Sequence, residues 1–398
     1  MVFKKHIRLL RKFLGNIARP RFGWGKQFTK LAKFFYLLIE WPFELLGDLL
    51  FFGKRFKKIE IRNPKRILIV KVDQFGDVLF STFLLPIIKK KYPHAEIDYL
   101  INPKTKALLE KNPHIANIHF WEDIFLLGLQ GREKTRTGGL AEIGRKNGET
   151  LRVLRARHYD VVINTRSYPP SSNIPWRRIG GALIAFDISE QSFLADYWAD
   201  YDLDDEEWKN YLNLLVPLGI DITSIDFSEE FYNHNAQNPM ANAGVYAVVS
   251  PVSFDVEREW GREHWEELIA FLASRGMRVA LTGMPSQKEY LESLASVGDG
   301  DVNVFVEMTL AEFGALMRGA EFFIGIDSFP AHMALALGKP VIALINPAAY
   351  YLKGYSAKKF AVDARNMLPI LEQIKFFDVG SASVAKVMHA MPPMTPRR

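Results

Sequence analysis

The stretch RILIVKVDQFGDVLFSTFLLPIIKKKYPHAEIDYLI, residues 66–101, decides the fold of this chain. It opens with an apolar run of strand type over 66–72, continues with a helical pattern over 78–91, and ends in a second apolar run over 96–101. A short strand, a helix and another short strand in succession are typical of a βαβ unit around a parallel sheet. The sequence therefore predicts an α/β fold from residue 66 onward.

The same alternation continues toward the C-terminus in two series. The first predicts a helix over 104–112, a strand over 115–120, helical stretches over 121–158 with a loop at the polar, Gly-rich residues 129–150, and a strand over 161–164. The second predicts strands over 245–250, 279–282, 322–326 and 341–344 and helices over 262–275, 286–296, 310–319 and 330–337. Polar residues 231–244 contain Pro and Gly and are typical of a linker. Two doubly wound halves usually hold their ligand in a cleft at the carboxyl ends of the strands.

Length and composition agree with this division. A chain of 398 residues suggests two domains with additional segments. With 48% hydrophobic and 24% charged residues, it is neither disordered nor collagen-like. It contains no cysteine, which excludes disulfides, thiolate metal sites and a cysteine nucleophile.

Positive charge is concentrated near the N-terminus. Residues 1–66 hold 17 Lys and Arg against four acids, a net charge of +13, so the rest of the chain carries −7. Residues 3–17 place apolar side chains at helical spacing opposite basic ones, a pattern that suits an anionic membrane surface. Residues 34–52, FFYLLIEWPFELLGDLLFF, are nearly long enough to span a bilayer.

Three acids argue against a membrane span in that second segment. Glu40, Glu44 and Asp48 are four residues apart and share one helical face. Charges in the middle of a bilayer are costly, whereas a polar stripe on a helix in the interface is not. We expect a monotopic anchor. The alternatives are an apolar face docked on the protein body and nucleic-acid binding, which the contiguous aliphatic residues fit poorly. A secretory signal peptide is disfavoured because the apolar run starts late and contains acids.

The first strand–helix turn places an acid where chemistry is expected. The turn, residues 71–77, has one glycine and is therefore neither a dinucleotide fingerprint nor a P-loop. Asp77 lies where the strand gives way to the helix. It either caps that helix or serves as a general base toward a hydroxyl nucleophile.

A similar turn occurs in the second half, with the sequence GIDSFPAH over 325–332. The N–H groups at the start of the following helix form a natural phosphate site, and Asp327 suits sugar hydroxyls. The alternative is that Asp327 and Ser328 are helix caps and His332 is a buried helix residue. Arg258 would add a cation to the same edge, or is simply a surface charge.

Metal and hydrolase signals are weak. Asp202-Leu203-Asp204 and Asp299-Gly300-Asp301 match an Asp-x-Asp pattern, but one lies in an acidic run and the other in a Gly loop, so we interpret both as solvated loops. The nine His show no metal-ligand spacing. The chain has no G-x-S-x-G elbow. We predict that no metal is bound.

The two turns together resemble glycosyltransferase family 9, the ADP-heptose:lipopolysaccharide heptosyltransferases. The N-terminal match is the segment over 66–101, with its Gly-Asp pair. The C-terminal match is GIDSFPAHMALALGKPVIALINP over 325–347. The resemblance covers residues 66 to about 346. On the donor side Phe329 stands in place of a glycine and Gln287 in place of an acid.

The resemblance implies a GT-B fold of two Rossmann-like domains, an inverting mechanism and no metal. It makes Asp77 the catalytic base. It implies donor contacts at Ser253, Arg258, Thr282, Gly283, Met308, Asp327, Ser328 and His332. It implies acceptor contacts at Lys71, Arg166, Arg177 and Arg178, of which the last two alternatively form a plain surface pair.

The resulting prediction is a metal-independent sugar transferase at the cytoplasmic face of the inner membrane. It has a basic membrane-associating segment over 1–60, an acceptor domain over 61–235, a nucleotide-sugar donor domain over 240–375, and a helix and tail over 376–398. The expected partners are an ADP-heptose-like donor, an anionic lipid-linked acceptor and an anionic membrane, and not nucleic acid. The rival interpretation is a non-catalytic nucleotide-sugar-binding or scaffolding protein on the same fold.

Overall fold

The described part of the chain forms two compact units, one N-terminal and one C-terminal. The computed structural model describes residues 42–50, 61–122, 139–167, 172–203, 207–223, 231–232, 235–252, 260–298, 302–345, 374–378 and 383–392. In this described part, the first unit ends at residue 223 and the second begins at residue 231.

The first unit is a parallel six-stranded sheet flanked by helices. Its strand order is β3-β2-β1-β4-β5-β6. The strands are β1 Arg66–Lys71, β2 Glu96–Ile101, β3 Asn117–Phe120, β4 Val161–Asn164, β5 Ala182–Phe186 and β6 Tyr197–Ala199. The helices are α1 over 42–50, α2 Phe75–Ser81, α3 Leu84–Lys91, α4 Lys106–Leu109, α5 Gly139–Ala156, α6 Ile174–Arg177 and α7 Glu207–Asn213.

The second unit repeats this plan. Its six parallel strands are ordered β12-β11-β10-β7-β8-β9. They are β7 Tyr246–Ser250, β8 Arg278–Thr282, β9 Val302–Phe305, β10 Phe323–Ile326, β11 Val341–Ile345 and β12 Ile374–Asp378. The helices are α8 Arg262–Ser274, α9 Lys288–Ala295, α10 Leu310–Gly319, α11 Phe329–Ala336 and α12 Val384–His389.

The two sheets have the same topology, and each has a reversal of strand order near its centre. In each, the chain starts in the middle of the sheet, builds outward in one direction, and then returns to build in the other. The reversal lies between β1 and β4 in the first unit and between β7 and β10 in the second. Ligands of open α/β sheets bind at the carboxyl ends of the strands beside this reversal. The central strands are buried on both faces, which explains why residues 67–70 are a continuous apolar run.

The α/β prediction is confirmed, with three local corrections. The helix predicted over 78–91 is two helices, because Pro86 lacks an N–H and is tolerated in the first turn of α3 but not in the interior of one long helix. Strands β5, β6, β9 and β12 were not predicted. The loop predicted over 129–150 is wrong for residues 139–150, which belong to α5; residues 129–138 lie outside the described part.

Residues 151–156 of helix α5 lie in a predicted helical stretch, but residues 139–150 were predicted as a loop because they contain glycines, which disfavour helices, and few apolar residues. The ion pairs Arg145–Glu149 and Lys146–Glu142, each four residues apart, support it locally. Buried Ile143 anchors its packing. Tertiary contact, rather than intrinsic propensity, therefore maintains this helix.

The acids of helix α1 do not lie where the sequence analysis expected them. Glu44 and Asp48 share one face, as their spacing predicted, and Glu40 lies outside the described residues. That face is buried in the first unit, whereas Leu49 and Leu50 on the opposite face are exposed. A polar stripe on an interfacial helix implies acids that face water, and for Glu44 and Asp48 the structure shows the opposite. The docking alternative named the apolar face, whereas the side of α1 that is buried in the first unit carries these two acids.

Among the described residues, no helix is long and apolar enough to cross a membrane.

A buried carboxylate ties β2 to its neighbours. Asp98 has a fully buried side chain, and it accepts hydrogen bonds from the Tyr159 hydroxyl at 2.6 Å and the Asn117 amide at 2.9 Å. The His119 ring lies 3.2 Å away and the Arg157 guanidinium 3.0 Å away. Burial alone would raise the pKa of Asp98, but these four partners lower it to about 2. The network therefore stabilises the fold only while Asp98 is ionised.

Asp98→Asn is expected to lower the free energy of unfolding at pH 7 by about 2 kcal/mol. The folded-state pKa of Asp98 lies below its unfolded-state pKa. The stabilisation by ionised Asp98 is therefore present above about pH 4 and is lost as the pH falls toward about 2. Urea unfolding at several pH values measures this, and the two proteins should converge in acid. Glu96→Gln is the matched control, since exposed Glu96 pairs with the same Arg157 at 3.1 Å. An equal loss in both variants would contradict the prediction.

Candidate functional site

The predicted base, Asp77, lies at the carboxyl edge of the first sheet. Helix α2 begins at Phe75, and the N-cap position belongs to Gln74, with φ −77° and ψ 168°. Asp77 is the third helical residue and is half-buried. The helix-cap alternative for Asp77 is therefore wrong. A carboxylate in the first turn is stabilised by the positive end of the helix dipole.

Lys71, the last residue of β1, is completely buried. Its Nζ lies 2.9 Å from Asp73 Oδ2 and donates a hydrogen bond of 2.7 Å to the Tyr211 hydroxyl. Burial alone would lower the pKa of Lys71, but the negative charges of Asp73 and Asp77 and the hydrogen bond to Tyr211 raise it well above its ordinary value. Lys71 is therefore a permanent buried cation that interacts electrostatically with the predicted base.

Arg166 reaches the same carboxylate from the neighbouring strand. It follows β4, is nearly buried, and places Nε 3.0 Å from Asp73 Oδ1. Asp73 thus holds one cation on each oxygen, and its own side chain is fully buried. Two cations at the ends of adjacent parallel strands would repel each other, so the carboxylate between them is what allows both to be buried.

Asp73, which pairs with both cations, is the residue of this edge that the sequence reasoning missed. The available signal was its place between Lys71 and the Gly-Asp pair, at the end of a strand next to the sheet's reversal. Lys71 and Arg166, which the resemblance implies as acceptor contacts, both lie against Asp73 inside the protein. Their contact with an acceptor stays a prediction.

Arg177 and Arg178 do not join that group. Arg177, at the end of α6, forms an ion pair with Asp196, which directly precedes β6. Asp196 also accepts the backbone N–H of Leu183 at 3.0 Å, near the start of β5. Helix α6 thus carries Arg177 to the amino edge of the sheet, away from Arg166, which corrects the expected grouping. Arg178 is exposed immediately after the helix.

In the second unit, the turn after β10 carries Asp327 and Ser328. Asp327 is buried, and its backbone N–H donates to the Leu344 carbonyl at 3.1 Å, which extends the ladder with β11. Ser328 occupies the N-cap position of α11, but its hydroxyl donates to the Ile326 carbonyl at 3.2 Å instead of capping the helix. His332 is half-buried in the second turn of α11. The side-chain cap expected as the alternative for Ser328 is absent.

The neighbouring strand ends supply the other predicted donor residues. Thr282 is the buried last residue of β8. At Gly283 an added Cβ would lie 2.6 Å from Leu291 and 3.0 Å from Gln287 Oε1, so this position accepts only glycine without rearrangement. Met308 is half-buried after β9, directly before the capping box that starts α10. Because β8, β9 and β10 are parallel, these turns occupy one edge of the sheet.

Some predicted residues cannot be placed. Ser253 and Arg258 lie outside the described residues, as do Asp204, Asp299 and Asp301 of the two Asp-x-Asp patterns. Within the described ranges, no three His, Asp or Glu side chains lie close enough together to hold one metal ion.

Known proteins resemble this chain along most of its length. The family model described as glycosyltransferase family 9 (heptosyltransferase) matches residues 149–362, more than half of the chain. Lipopolysaccharide heptosyltransferase 3 of Escherichia coli is 26% identical over 301 residues, which is 68% of this chain and 80% of that protein.

Two solved structures have the same fold. The E. coli heptosyltransferase WaaC with ADP superposes with a TM-score of 0.64 at 21% identity, covering 81% of this chain and 98% of that one. WaaC with ADP-2-deoxy-2-fluoro heptose gives a TM-score of 0.62 at 20% identity, with the same coverage of 81% and 98%.

Proposed function

This chain belongs to glycosyltransferase family 9, and we propose that it transfers a heptose-like sugar, with inversion and without a metal, from a nucleotide-diphosphate donor to a lipid-linked or lipopolysaccharide-type acceptor. The observation that carries the proposal is Asp77, half-buried in the first turn of α2 at the reversal point of its sheet, where it interacts electrostatically with the buried cation of Lys71. The similarity to a lipopolysaccharide heptosyltransferase supports the class of sugar and acceptor.

The first unit would activate the acceptor. Asp77 takes the proton of the acceptor hydroxyl as its oxygen attacks the anomeric carbon of the donor sugar. The new C–O bond forms on the face opposite the departing phosphate, so a single displacement inverts the anomeric configuration. The Asp73 ion pairs hold Lys71 and Arg166 in place, and the charge of Lys71 favours the ionised carboxylate that this step requires.

The second unit would bind the donor. Asp327 suits the sugar hydroxyls, while Ser328, His332 and the start of α11 would contact the diphosphate. Thr282, Gly283, Met308 and Ser253 would complete the nucleotide-sugar contacts. The bond from the anomeric carbon to the phosphate oxygen breaks, and the charge left on the nucleoside diphosphate is stabilised by Arg258 and the helix N-terminus in place of a metal.

We place the enzyme at the cytoplasmic face of the inner membrane. The net charge of +13 in residues 1–66 would attract an anionic leaflet, where a lipid-linked acceptor resides. Of the two arginines that the resemblance implies as acceptor contacts at α6, Arg178 is exposed and Arg177 is paired with Asp196.

Sugar transfer to a de-lipidated lipopolysaccharide core tests this function, with ADP-heptose, GDP-, UDP- and dTDP-sugars supplied in turn. We expect ADP-heptose to give product of inverted anomeric configuration by NMR, at a rate that EDTA leaves unchanged. Collapse of the rate in EDTA with recovery in Mg²⁺ would contradict metal independence. Donor binding without any turnover would instead favour the non-catalytic, nucleotide-sugar-binding interpretation.

A further inference from the structure

Helix α1 presents a continuous apolar face to solvent. Four large side chains on this nine-residue helix are exposed: Phe43 by 47%, Leu46 by 54%, Leu49 by 63% and Leu50 by 71%. Residues three, four and seven apart lie on the same side of a helix, so these four form one surface, called here the α1 apolar face. Single exposed apolar residues are common, but four on one short helix mark an interaction surface.

The opposite side of α1 is fastened to the first unit by polar contacts. A Glu44 carboxylate oxygen accepts the backbone N–H of Gln191, and Asp48 is fully buried. Phe43 lies at the boundary between the two sides, because it is half-exposed and its ring also meets the Phe193 ring edge to face at 5.4 Å between centroids. Gly47 lies directly against the same ring, with no room for a Cβ. The helix therefore has a defined orientation that leaves its apolar face outward.

The docking point lies at the same edge of the sheet as Lys71 and Arg166. The Gln191 side chain accepts the Ser172 hydroxyl at 2.6 Å, next to Asn173. Asn173 Oδ1 in turn accepts the amide of Asn164, the last residue of β4, at 2.9 Å. Asn164 precedes Arg166 by two residues and accepts its backbone N–H at 3.2 Å. Hydrogen bonds on either side of the Ser172–Asn173 peptide bond thus connect the anchoring of α1 to the segment that carries Arg166.

We propose that the α1 apolar face inserts into the interfacial layer of an anionic lipid bilayer, with α1 lying in the membrane plane. The surrounding sequence identifies this occupant, because residues 1–66 carry 17 Lys and Arg. The four acids of that stretch would oppose binding to an anionic surface, but the two on α1 are buried on its far side. An outward apolar face flanked by dense positive charge matches an anionic membrane.

This placement gives the membrane a role in catalysis, and that part rests on the proposed function. Because α1 docks at the carboxyl edge of the first sheet, a bilayer on its outer face would lie at the edge that carries Asp77. An acceptor sugar attached to a lipid would then reach the base without leaving the membrane. The fixed orientation of α1 thereby sets which edge of the unit meets the lipid.

Site-specific labelling tests the inference directly, since the chain has no cysteine and a single introduced one is labelled uniquely. Leu50→Cys and the control Val153→Cys, which is 52% exposed on α5, would each carry an environment-sensitive fluorophore on the full chain. With vesicles of phosphatidylglycerol and phosphatidylcholine, we expect a several-fold rise in emission and a blue shift at position 50 only. Vesicles of phosphatidylcholine alone should give a much smaller response.

A pair of double substitutions measures the contribution of the face. Leu49→Ser/Leu50→Ser should weaken binding to the anionic vesicles by at least roughly tenfold, because two leucines no longer enter the apolar layer. Val153→Ser/Val216→Ser, which removes two other exposed apolar residues, should leave it unchanged. High salt should reduce binding of the unsubstituted chain without abolishing it.

Three results would overturn the inference. A label at position 50 that is blue-shifted before vesicles are added and unchanged by them means that another segment or a second copy covers the face. Vesicle binding without a response at position 50 means that the basic residues alone make the contact with the membrane. A response of the label to RNA in place of vesicles means that the α1 apolar face belongs to a nucleic-acid-binding surface. Transfer to the de-lipidated acceptor is assayed separately, and failure there with insertion intact would refute the proposed function but not the membrane contact.

Discussion

Asp77→Asn is expected to reduce sugar transfer by roughly 10²- to 10⁴-fold, the usual contribution of a general base. The amide keeps the size of the side chain but cannot take the acceptor proton. Donor affinity should stay within about twofold, because the proposed donor contacts all lie in the second unit, whereas Asp77 lies in the first. Steady-state transfer kinetics, together with calorimetric titration of the nucleotide, separates the two quantities.

The control for this substitution is another acid in the first turn of a helix. Glu142→Gln removes such a charge from α5, where Glu142 is exposed and pairs with Lys146 at 3.3 Å. It should reproduce any loss of favourable interaction with the helix dipole, about 0.3–1 kcal/mol of stability, and leave transfer unchanged. Near-normal turnover in Asp77→Asn would show that Asp77 is not the base.

Asp73→Asn is expected to lower the free energy of unfolding by about 3–5 kcal/mol. The substitution leaves Lys71 and Arg166 buried without the carboxylate that now lies 2.9 Å and 3.0 Å from them. The surviving amide oxygen cannot neutralise two cations. Removing one partner from a buried ion pair is far more costly than removing an exposed one, because the remaining charge stays out of water.

Urea unfolding followed by circular dichroism measures this loss. Glu149→Gln is the matched control, since it breaks the exposed Glu149–Arg145 pair and should cost no more than about 0.5 kcal/mol. The double variant Lys71→Met/Asp73→Asn removes one cation together with the carboxylate, and it should recover part of the stability. A loss below about 1 kcal/mol in Asp73→Asn would mean that water reaches Lys71 and Arg166 and that the edge is not held by these pairs.

The local polarity pattern sufficed to predict most of the architecture. Strands β2 and β4 and helix α10 have the predicted bounds, because short apolar runs and helical periodicity are properties of neighbouring residues. The same holds for Asp77 and Asp327, since a strand followed at once by a helix start is visible in sequence. Residues 139–150 of helix α5 and strand β6 were missed, because their stability comes from packing that no local window contains.

The partners of the charged residues could not be predicted. Lys71 and Arg166 were both identified, but that each faces Asp73 follows from the pairing of β1 with β4, which joins residues some 95 positions apart in the chain. The separation of Arg177 from Arg166 has the same origin, since the direction of α6 decides at which edge of the sheet Arg177 lies. Charge pairs form through space, and sequence spacing says little about them beyond one helical turn.

The nine residues of helix α1 illustrate both what the sequence determines and what only the tertiary structure decides. The sequence by itself determined that Glu44 and Asp48 share a face, because a helix repeats every 3.6 residues, and the motifs by themselves determined the family. Only the tertiary structure decided that the acidic face is the buried one. An amphipathic pattern states which side chains lie together, but the partner across the interface decides which face turns inward. Here the Gln191 N–H receives the Glu44 carboxylate, Phe193 packs on Gly47, and the leucines are left outside.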